Sequence, residues 1–239
     1  DILGQNNLVS MVYHMGAESN TKCGDGKYLM QNNYQYTCNI MDICASHRLE
    51  LVYASSAAVY GDQTKQWGSF DASSDDYVPL NYYALSKLQA DKYARKFASN
   101  GQLKIIGLRY FNVISDGEFE QHKDGMKSPL CWMNEQYEAF GGVELFRGSE
   151  EFERDFIHID EVIKTTMNAM TQGRTGIYNV GMGATKSFYD LATEVLDGQS
   201  EHIKWIDMPE DVAQGYQTYT KADMSNACFG IPDGSGKPN

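Results

Sequence analysis

The sequence predicts an α/β fold, a doubly wound parallel sheet with a smaller α/β second lobe. Three observations carry that prediction. Short apolar runs of strand length alternate with helix-length segments from residue 8 onward. Small-residue turns follow the early runs, as at Gly16-Ala17 and Ser55-Ser56-Ala57-Ala58, where a parallel strand passes into a right-handed crossover. After Asn112 a charged, glycine-punctuated stretch interrupts the alternation before it resumes, which marks a second lobe. At 239 residues, 42% of them hydrophobic and 22% charged, the chain can build a core and is not a disordered segment.

Each element follows from its own pattern. Leu8 to His14 is a mostly apolar run that suits a buried strand. Between Asp25 and His47 there is no proline, and Ile40, Ile43, Cys44 and His47 recur at helical spacing. Leu49 to Ser55 is a second strand, and a polar loop runs from Asp62 to Pro79. Leu80 to Ser99 is a helix stopped by Asn100-Gly101, and Lys104 to Tyr110 is a third strand. Residues 113–125 are expected to form a loop. Further on, the pattern predicts a helix over Pro129–Phe140 and a strand over Val143–Phe146. Asp155–Ile159 is a strand feeding a helix from Asp160, and Gly176–Val180 is another strand. A helix around Ser187–Leu196, a strand at Ile203–Ile206 and a weakly patterned tail complete the chain.

Composition excludes several classes of function. Lys and Arg total 20 against 32 Asp and Glu, a net charge of −12, which argues against nucleic acid as partner. No run approaches the roughly 18 apolar residues of a membrane span, and no signal-peptide pattern opens the chain. The five cysteines, an odd number without a Cys-x-x-Cys pair, suit reduced thiols in a cytoplasm. No metal is expected, because no His or Cys cluster has ligand spacing.

One constellation carries chemistry. Tyr83 and Lys87 sit four residues apart at the start of the helix after Asn81, on one face. An ammonium beside a phenol favours phenolate and would lower its pKa, which makes a tyrosine a general acid/base. In isolation such a pair is equally a surface helix pair. Ser56, at the carboxyl end of a predicted parallel strand, stands where open α/β sheets bind ligands, though Ser-Ser also suits a plain turn.

Taken together, Ser-Ser-x-x-Val-Tyr-Gly from Ser55, Tyr-x-x-x-Lys from Tyr83, Leu108-Arg109-Tyr110-Phe111-Asn112 and Arg154-Asp155-Phe156-Ile157-His158 resemble the extended short-chain dehydrogenase/reductase superfamily. His14-Met15-Gly16-Ala17, the stretch from Asp25 to Tyr36, His122 to Met126, Phe146-Arg147-Gly148-Ser149 and Tyr216 to Asp223 are similar to its ADP-glycero-manno-heptose 6-epimerase family. The resemblance implies a Rossmann-type sheet, here N-terminally truncated, with residues 1–113 and about 155–183 as dinucleotide-binding domain. Residues of about 114–154 and 184–239 would form the substrate lobe. It implies a bound NADP, with NAD open because the segment that selects between them is absent. The partner would be a nucleotide-diphosphate sugar whose C6 is inverted by transient oxidation, and the enzyme would be a homo-oligomer.

The family pattern assigns catalysis to Ser56, Tyr83, Lys87 and Lys123. It assigns the cofactor to Met15, Gly16, Ala17, Glu18, Ser19, Asn33, Lys87 and Val113. Asn112, Gly125, Phe146, Arg147, Gly148, Ser149, Arg154 and Tyr216 would contact the nucleotide-sugar. Arg147 and Arg154 are apt for a diphosphate through bidentate donors, although each also suits an ordinary surface ion pair. Departures are equally specific. The Gly-x-x-Gly-x-x-Gly loop is missing, Ile114-Ser115-Asp116-Gly117 replaces the usual Tyr-Gly-Pro, and Glu18 puts a carboxylate near a presumed phosphate zone. Gly181-Met182-Gly183 mimics a dinucleotide loop, but a packing and turn role fits it better. A UDP-hexose 4-epimerase and a non-catalytic nucleotide-sugar-binding protein remain as alternatives.

Overall fold

The computed structural model describes residues 9–61, 72–98, 104–115, 127–172, 174–213 and 215–225. Four strands form the main sheet: β1 (Met11–His14), β2 (Glu50–Ser56), β3 (Ile105–Tyr110) and β8 (Gly176–Val180), in that spatial order. Every pairing in it is parallel. The alternation of side chains along the strands explains why both faces need helices. Leu51, Tyr53 and Ile105 point to one face, where they pack with Met41, Cys44 and Ala94 from α2 (Tyr36–His47) and α3 (Tyr82–Ala98). Val52, Ile106 and Leu108 point to the other, against Val162, Ala169 and Met170 of α5 (Ile159–Gln172).

The expected first helix is broken in register. It begins as α1 (Gly26–Leu29), capped by the Asp25 carboxylate, and widens through a π-helical segment at Met30–Gln35 before continuing as α2. The widening places Asn33 on the buried side.

A second core stands apart from the sheet. Helices α4 (Pro129–Phe140) and α6 (Phe188–Val195) cover a parallel pair, β5 (Val143–Phe146) with β10 (Ile203–Ile206). Met133, Val143, Leu145, Phe188, Leu191 and Ile203 fill the space between them. Both helices start on capping side chains. Ser128 precedes Pro129 at the start of α4, and Ser187 with Asp190 forms a capping box on α6.

One expectation is corrected. Val113 and Ile114 belong to β4 (Asn112–Ile114), which pairs in parallel with β7 (Phe156–His158), rather than to a loop. The apolar pair Val113-Ile114 gains strand partners for its backbone, and Val113 packs on the core beside Ile157. Between the two cores, β6 (Glu153–Arg154) pairs antiparallel with β9 (Lys186–Ser187) and bridges to Tyr219. A short α7 (Glu210–Ala213) leads into that segment. Among the described residues no helix is long and apolar enough to cross a membrane.

Candidate active site

At the carboxyl end of β2 the two serines diverge. The Ser56 hydroxyl caps the short 3-10 turn Ala57–Tyr60 by accepting from Ala58 N at 3.1 Å. Facing it is the first turn of α3, which Asn81 caps through its side-chain oxygen on Ala84 N at 2.9 Å. Tyr83 leaves that turn, with Ser56 close enough to its phenol to favour the charged form. Lys87, one turn on, donates from Nζ to the Ala54 carbonyl at 2.8 Å, and its Nζ lies 5.9 Å from the centre of the Tyr83 ring. The three predicted residues therefore meet.

Their electrostatics differ from expectation. Burial raises the Tyr83 phenol above its ordinary value, with Ser56 working the other way. Lys87 spends its proton on the Ala54 carbonyl, and burial pushes the lysine itself down to about 8, with Asp91 opposing the fall. Burial, rather than the Lys87 charge, sets the direction of the Tyr83 shift and favours its neutral phenol. His14, at the end of β1, is lowered by burial and by the charge of Lys87, and its Nε2 is hydrogen-bonded to Thr37 Oγ1 at 2.9 Å.

The residues expected around a cofactor follow β1. Met15, Gly16, Ala17 and Ser19 are exposed, and a side chain built on Gly16 would meet nothing within 4 Å. Asn33 is buried and clamps this turn from below. It accepts from Glu18 N at 2.9 Å and donates to Glu18 O at 2.9 Å and to Ser86 Oγ at 3.3 Å. The Glu18 carboxylate turns back on its own loop, accepting from Asn20 N at 2.8 Å. Val113 is half-buried on β4. An open, clamped strand end beside the Lys87 ammonium fits the ribose and ring end of a nicotinamide nucleotide.

The predicted sugar-nucleotide residues gather on the other side of a cleft of about 860 Å³. Thr21 to Gly24, Pro79 to Tyr82 and Leu85 form one wall, and Phe146 and Tyr216 stand opposite. Two smaller recesses adjoin it at Tyr216. One, of about 330 Å³, holds Phe146, Ser149 and Trp132. The other, of about 180 Å³, reaches Ala58 and Arg154.

Arg154 is only 5% exposed. Its guanidinium lies 5.2 Å from the Tyr216 ring centre and 5.6 Å from that of Phe188, and its Nη1 donates to Glu153 O at 3.2 Å. No carboxylate pairs with it among the described residues, and burial lowers it to about 10. Gly148 turns at φ +90°, a conformation that favours glycine, and shapes the tight bend that carries Ser149 inward.

Not every predicted residue converges. Arg147 is exposed and pairs with exposed Asp207 at 3.2 Å, the surface ion pair the sequence left open. Asn112 is half-buried, with its backbone N–H donating to Asp155 O at 3.1 Å. Lys123 and Gly125 lie outside the described residues. Cleft residues the sequence did not single out include Thr21 and Tyr82. Gln217 ties the cleft floor together by donating to Gly61 O at 2.8 Å.

Comparison with known proteins agrees with this geometry. The model of the family described as NAD dependent epimerase/dehydratase matches residues 1–181. A curated relative from Brachyspira hyodysenteriae, named ADP-L-glycero-D-manno-heptose-6-epimerase, is 40% identical over 223 residues, 92% of this chain and 69% of the relative. The crystal structure of the enzyme of that name from Helicobacter pylori superposes with a TM-score of 0.77 at 28% identity, covering 96% of this chain and 68% of its own. A UDP-N-acetylglucosamine 4-epimerase from Methanobrevibacter ruminantium shares the fold at 22% identity, with a TM-score of 0.78 over 96% of this chain and 71% of its own. A parallel sheet with Ser56, Tyr83 and Lys87 at its carboxyl edge, matched over most of its length, makes this chain a member of the NAD dependent epimerase/dehydratase family.

Proposed function

We propose that the chain is a nucleotide-sugar epimerase that inverts C6 of ADP-glycero-manno-heptose, a precursor of lipopolysaccharide core, in the cytoplasm and with NADP as its nicotinamide cofactor. One observation carries the reading: the Tyr83–Ser56 pair with Lys87 beside it adjoins a cleft whose far recess buries an Arg154 that no carboxylate among the described residues pairs with. The 40% identical relative names the sugar.

A nicotinamide cofactor held by these residues would supply reversible hydride transfer at the sugar carbon, with no net redox. The Tyr83 hydroxyl exchanges a proton with the sugar oxygen at the carbon being inverted, and Ser56 Oγ orients that oxygen. Burial holds the proton on Tyr83 until ligands occupy the cleft. Lys87, Met15, Gly16, Ala17, Ser19 and Val113 hold the cofactor, with Asn33 acting through the Glu18 backbone. Arg154 and Tyr216 hold the diphosphate and base, with Phe146, Gly148, Ser149 and Asn112 around them. Arg147 stands at the rim, where it pairs with Asp207. Lys123 is the second acid/base for the opposite face, and Gly125 contacts the nucleotide-sugar. In this reading residues 1–113 and 155–183 hold the cofactor and 114–154 with 184–239 hold the sugar.

The test is direct. The chain is incubated with NADP and ADP-D-glycero-D-manno-heptose, and the C6 epimer is resolved by chromatography. The epimer forms, and Tyr83→Phe lowers kcat at least about 10²-fold, the usual scale of a lost acid/base. Conversion of a UDP-galactose-type sugar with no heptose turnover would instead make it a 4-epimerase. Unchanged turnover in Tyr83→Phe combined with Lys123→Met would overturn the site.

A further inference from the structure

Helix α3 carries a third polar residue on the face that bears Tyr83 and Lys87. Asp91 lies one turn beyond Lys87 and is wholly buried. Its carboxylate accepts from Tyr53 Oη at 2.8 Å and Ser55 Oγ at 2.9 Å, both on β2, and from Arg109 Nε on β3 at 2.8 Å. Arg109 is itself fully buried and does not spend its charge on Asp91 alone. Its Nη2 donates to Asp75 at 2.6 Å and its Nη1 to the Ser74 carbonyl at 3.1 Å. Arg95 completes the row by pairing with Asp75.

A buried carboxylate held this way is satisfied as a strut between helix and sheet. Its placement gives it a second consequence. Ser55, which it grips, adjoins Ser56, and Ala54, whose carbonyl receives Lys87, precedes Ser55 on the same strand. Lys87 has burial and His14 of β1 against its charge, and its neighbours on α3 are Tyr83 and Asp91. Tyr53 on β2 and Arg109 on β3 face Asp91 rather than Lys87. Lys87 and Asp91 stand four residues apart on α3, so the buried carboxylate and the buried ammonium share one face of the helix. Asp91 is the anion on that face.

We propose that Asp91 is a positioning residue of this site, the buried anion that keeps Lys87 Nζ charged and seated on the Ala54 carbonyl. The role rests on the reading of Lys87 as part of the reaction centre, yet it can be measured on Lys87 itself.

The full chain is prepared with carbon-13 lysine, and the Cε resonance of Lys87 is assigned by its loss in Lys87→Arg. In the wild type its midpoint is expected near 8, below those of surface lysines, because Lys87 is buried. Asp91→Asn keeps the side chain's size and one acceptor oxygen while removing the charge, and the midpoint of Lys87 falls while those of surface lysines stay in place. Ser55→Ala, a milder change, removes one donor from the carboxylate and moves the midpoint upward. A folded Asp91→Asn protein with an unmoved Lys87 midpoint overturns the role. Should Asp91→Asn not fold, an unmoved midpoint in Ser55→Ala does so. Failure of the epimerase assay, with both midpoints moving as stated, would overturn the function and leave this role standing.

Discussion

Arg154 and Arg147 look alike in the sequence and behave oppositely in the fold. Each precedes or follows small and polar residues in a segment that resembles the same family, so nothing local separates them. What separates them is pairing: Arg154 sits on β6 under Phe188 and Tyr216, whereas Arg147 leaves the end of β5 for solvent at 67% exposure. A buried guanidinium without a carboxylate is costly, and replacing it by a well-packed apolar side chain is often neutral or stabilising. Its retention therefore has to be sought in ligand binding. Arg154→Met is expected to keep or raise the melting temperature while raising KM for the nucleotide-sugar about tenfold to a hundredfold, the loss of one or two charge-assisted hydrogen bonds. Calorimetry and steady-state kinetics on the same preparation check both halves. Arg147→Ala, by contrast, is expected to change stability by less than about 0.5 kcal/mol, since an exposed pair contributes little. Lowered stability together with unchanged KM in Arg154→Met would return that arginine to a structural role. The Tyr83 phenol makes a parallel case: its partner four residues on was legible, but the sign of its shift was not, because burial and the Ala54 carbonyl are tertiary facts.

Among the elements, the turn after β8 shows how a correct local reading gains its reason only from tertiary structure. Gly181-Met182-Gly183 resembles a phosphate loop, and its backbone N–H groups do bind an anion, but the anion is the Asp155 carboxylate. Met182 N donates to it at 2.7 Å, Gly183 N at 2.8 Å and, from the tail, Ala222 N at 3.0 Å. A side chain on Gly181 would come within 2.8 Å of that carboxylate, and Gly183 turns at φ +69°, so both glycines are required. Asp155 thereby fastens the bend between β6 and β7 to the end of the main sheet and to the segment that carries Tyr216. Burial outweighs its three donors and raises it from 3.8 to about 6. A carboxyl raised in the folded state binds more protons there than when unfolded, so its contribution is full below pH 4 and is lost as pH rises through 6. The stability difference between the wild type and Asp155→Asn should therefore shrink between pH 4 and 6, by an amount on the order of 3 kcal/mol. Denaturant titrations at a series of pH values measure it, and a difference that widens over that window would refute the assignment. Strand and helix positions were legible here because apolar period and caps are local; β4 was not, because its two apolar residues adjoin a charged run and only β7 makes them a strand.

On the scale of the whole molecule, the order of strands and the two cores follow from patterns readable along the chain, while the cleft does not. Its walls come from the loop after β1, the start of α3, the end of β5 and the segment around Tyr216, which are far apart in sequence. Thr21 and Val212 carry no motif and become cleft residues only because the two cores stand against one another. Hydrogen bonds between described residues link the segments across this gap. Gln217 donating to Gly61 is one, and Asp155 holding Ala222 secures the segment from behind. A ligand that touches both walls therefore adds contacts that the empty protein lacks, and it binds the folded chain but not the unfolded one. At a concentration about 100 times its dissociation constant such a ligand stabilises the fold by about 2.7 kcal/mol. For a chain of this size that corresponds to a rise in melting temperature of roughly 5–10 °C. ADP-mannose, which shares the diphosphate and a sugar but not the seventh carbon, is expected to give such a rise in the wild type and about half of it or less in Arg154→Met. Inorganic phosphate at the same concentration should give neither, because it reaches Arg154 without spanning the cleft. An equal rise with phosphate would mean that the stabilisation is local to the arginine, and that Phe146 and Tyr216 take no part in holding the nucleotide-sugar.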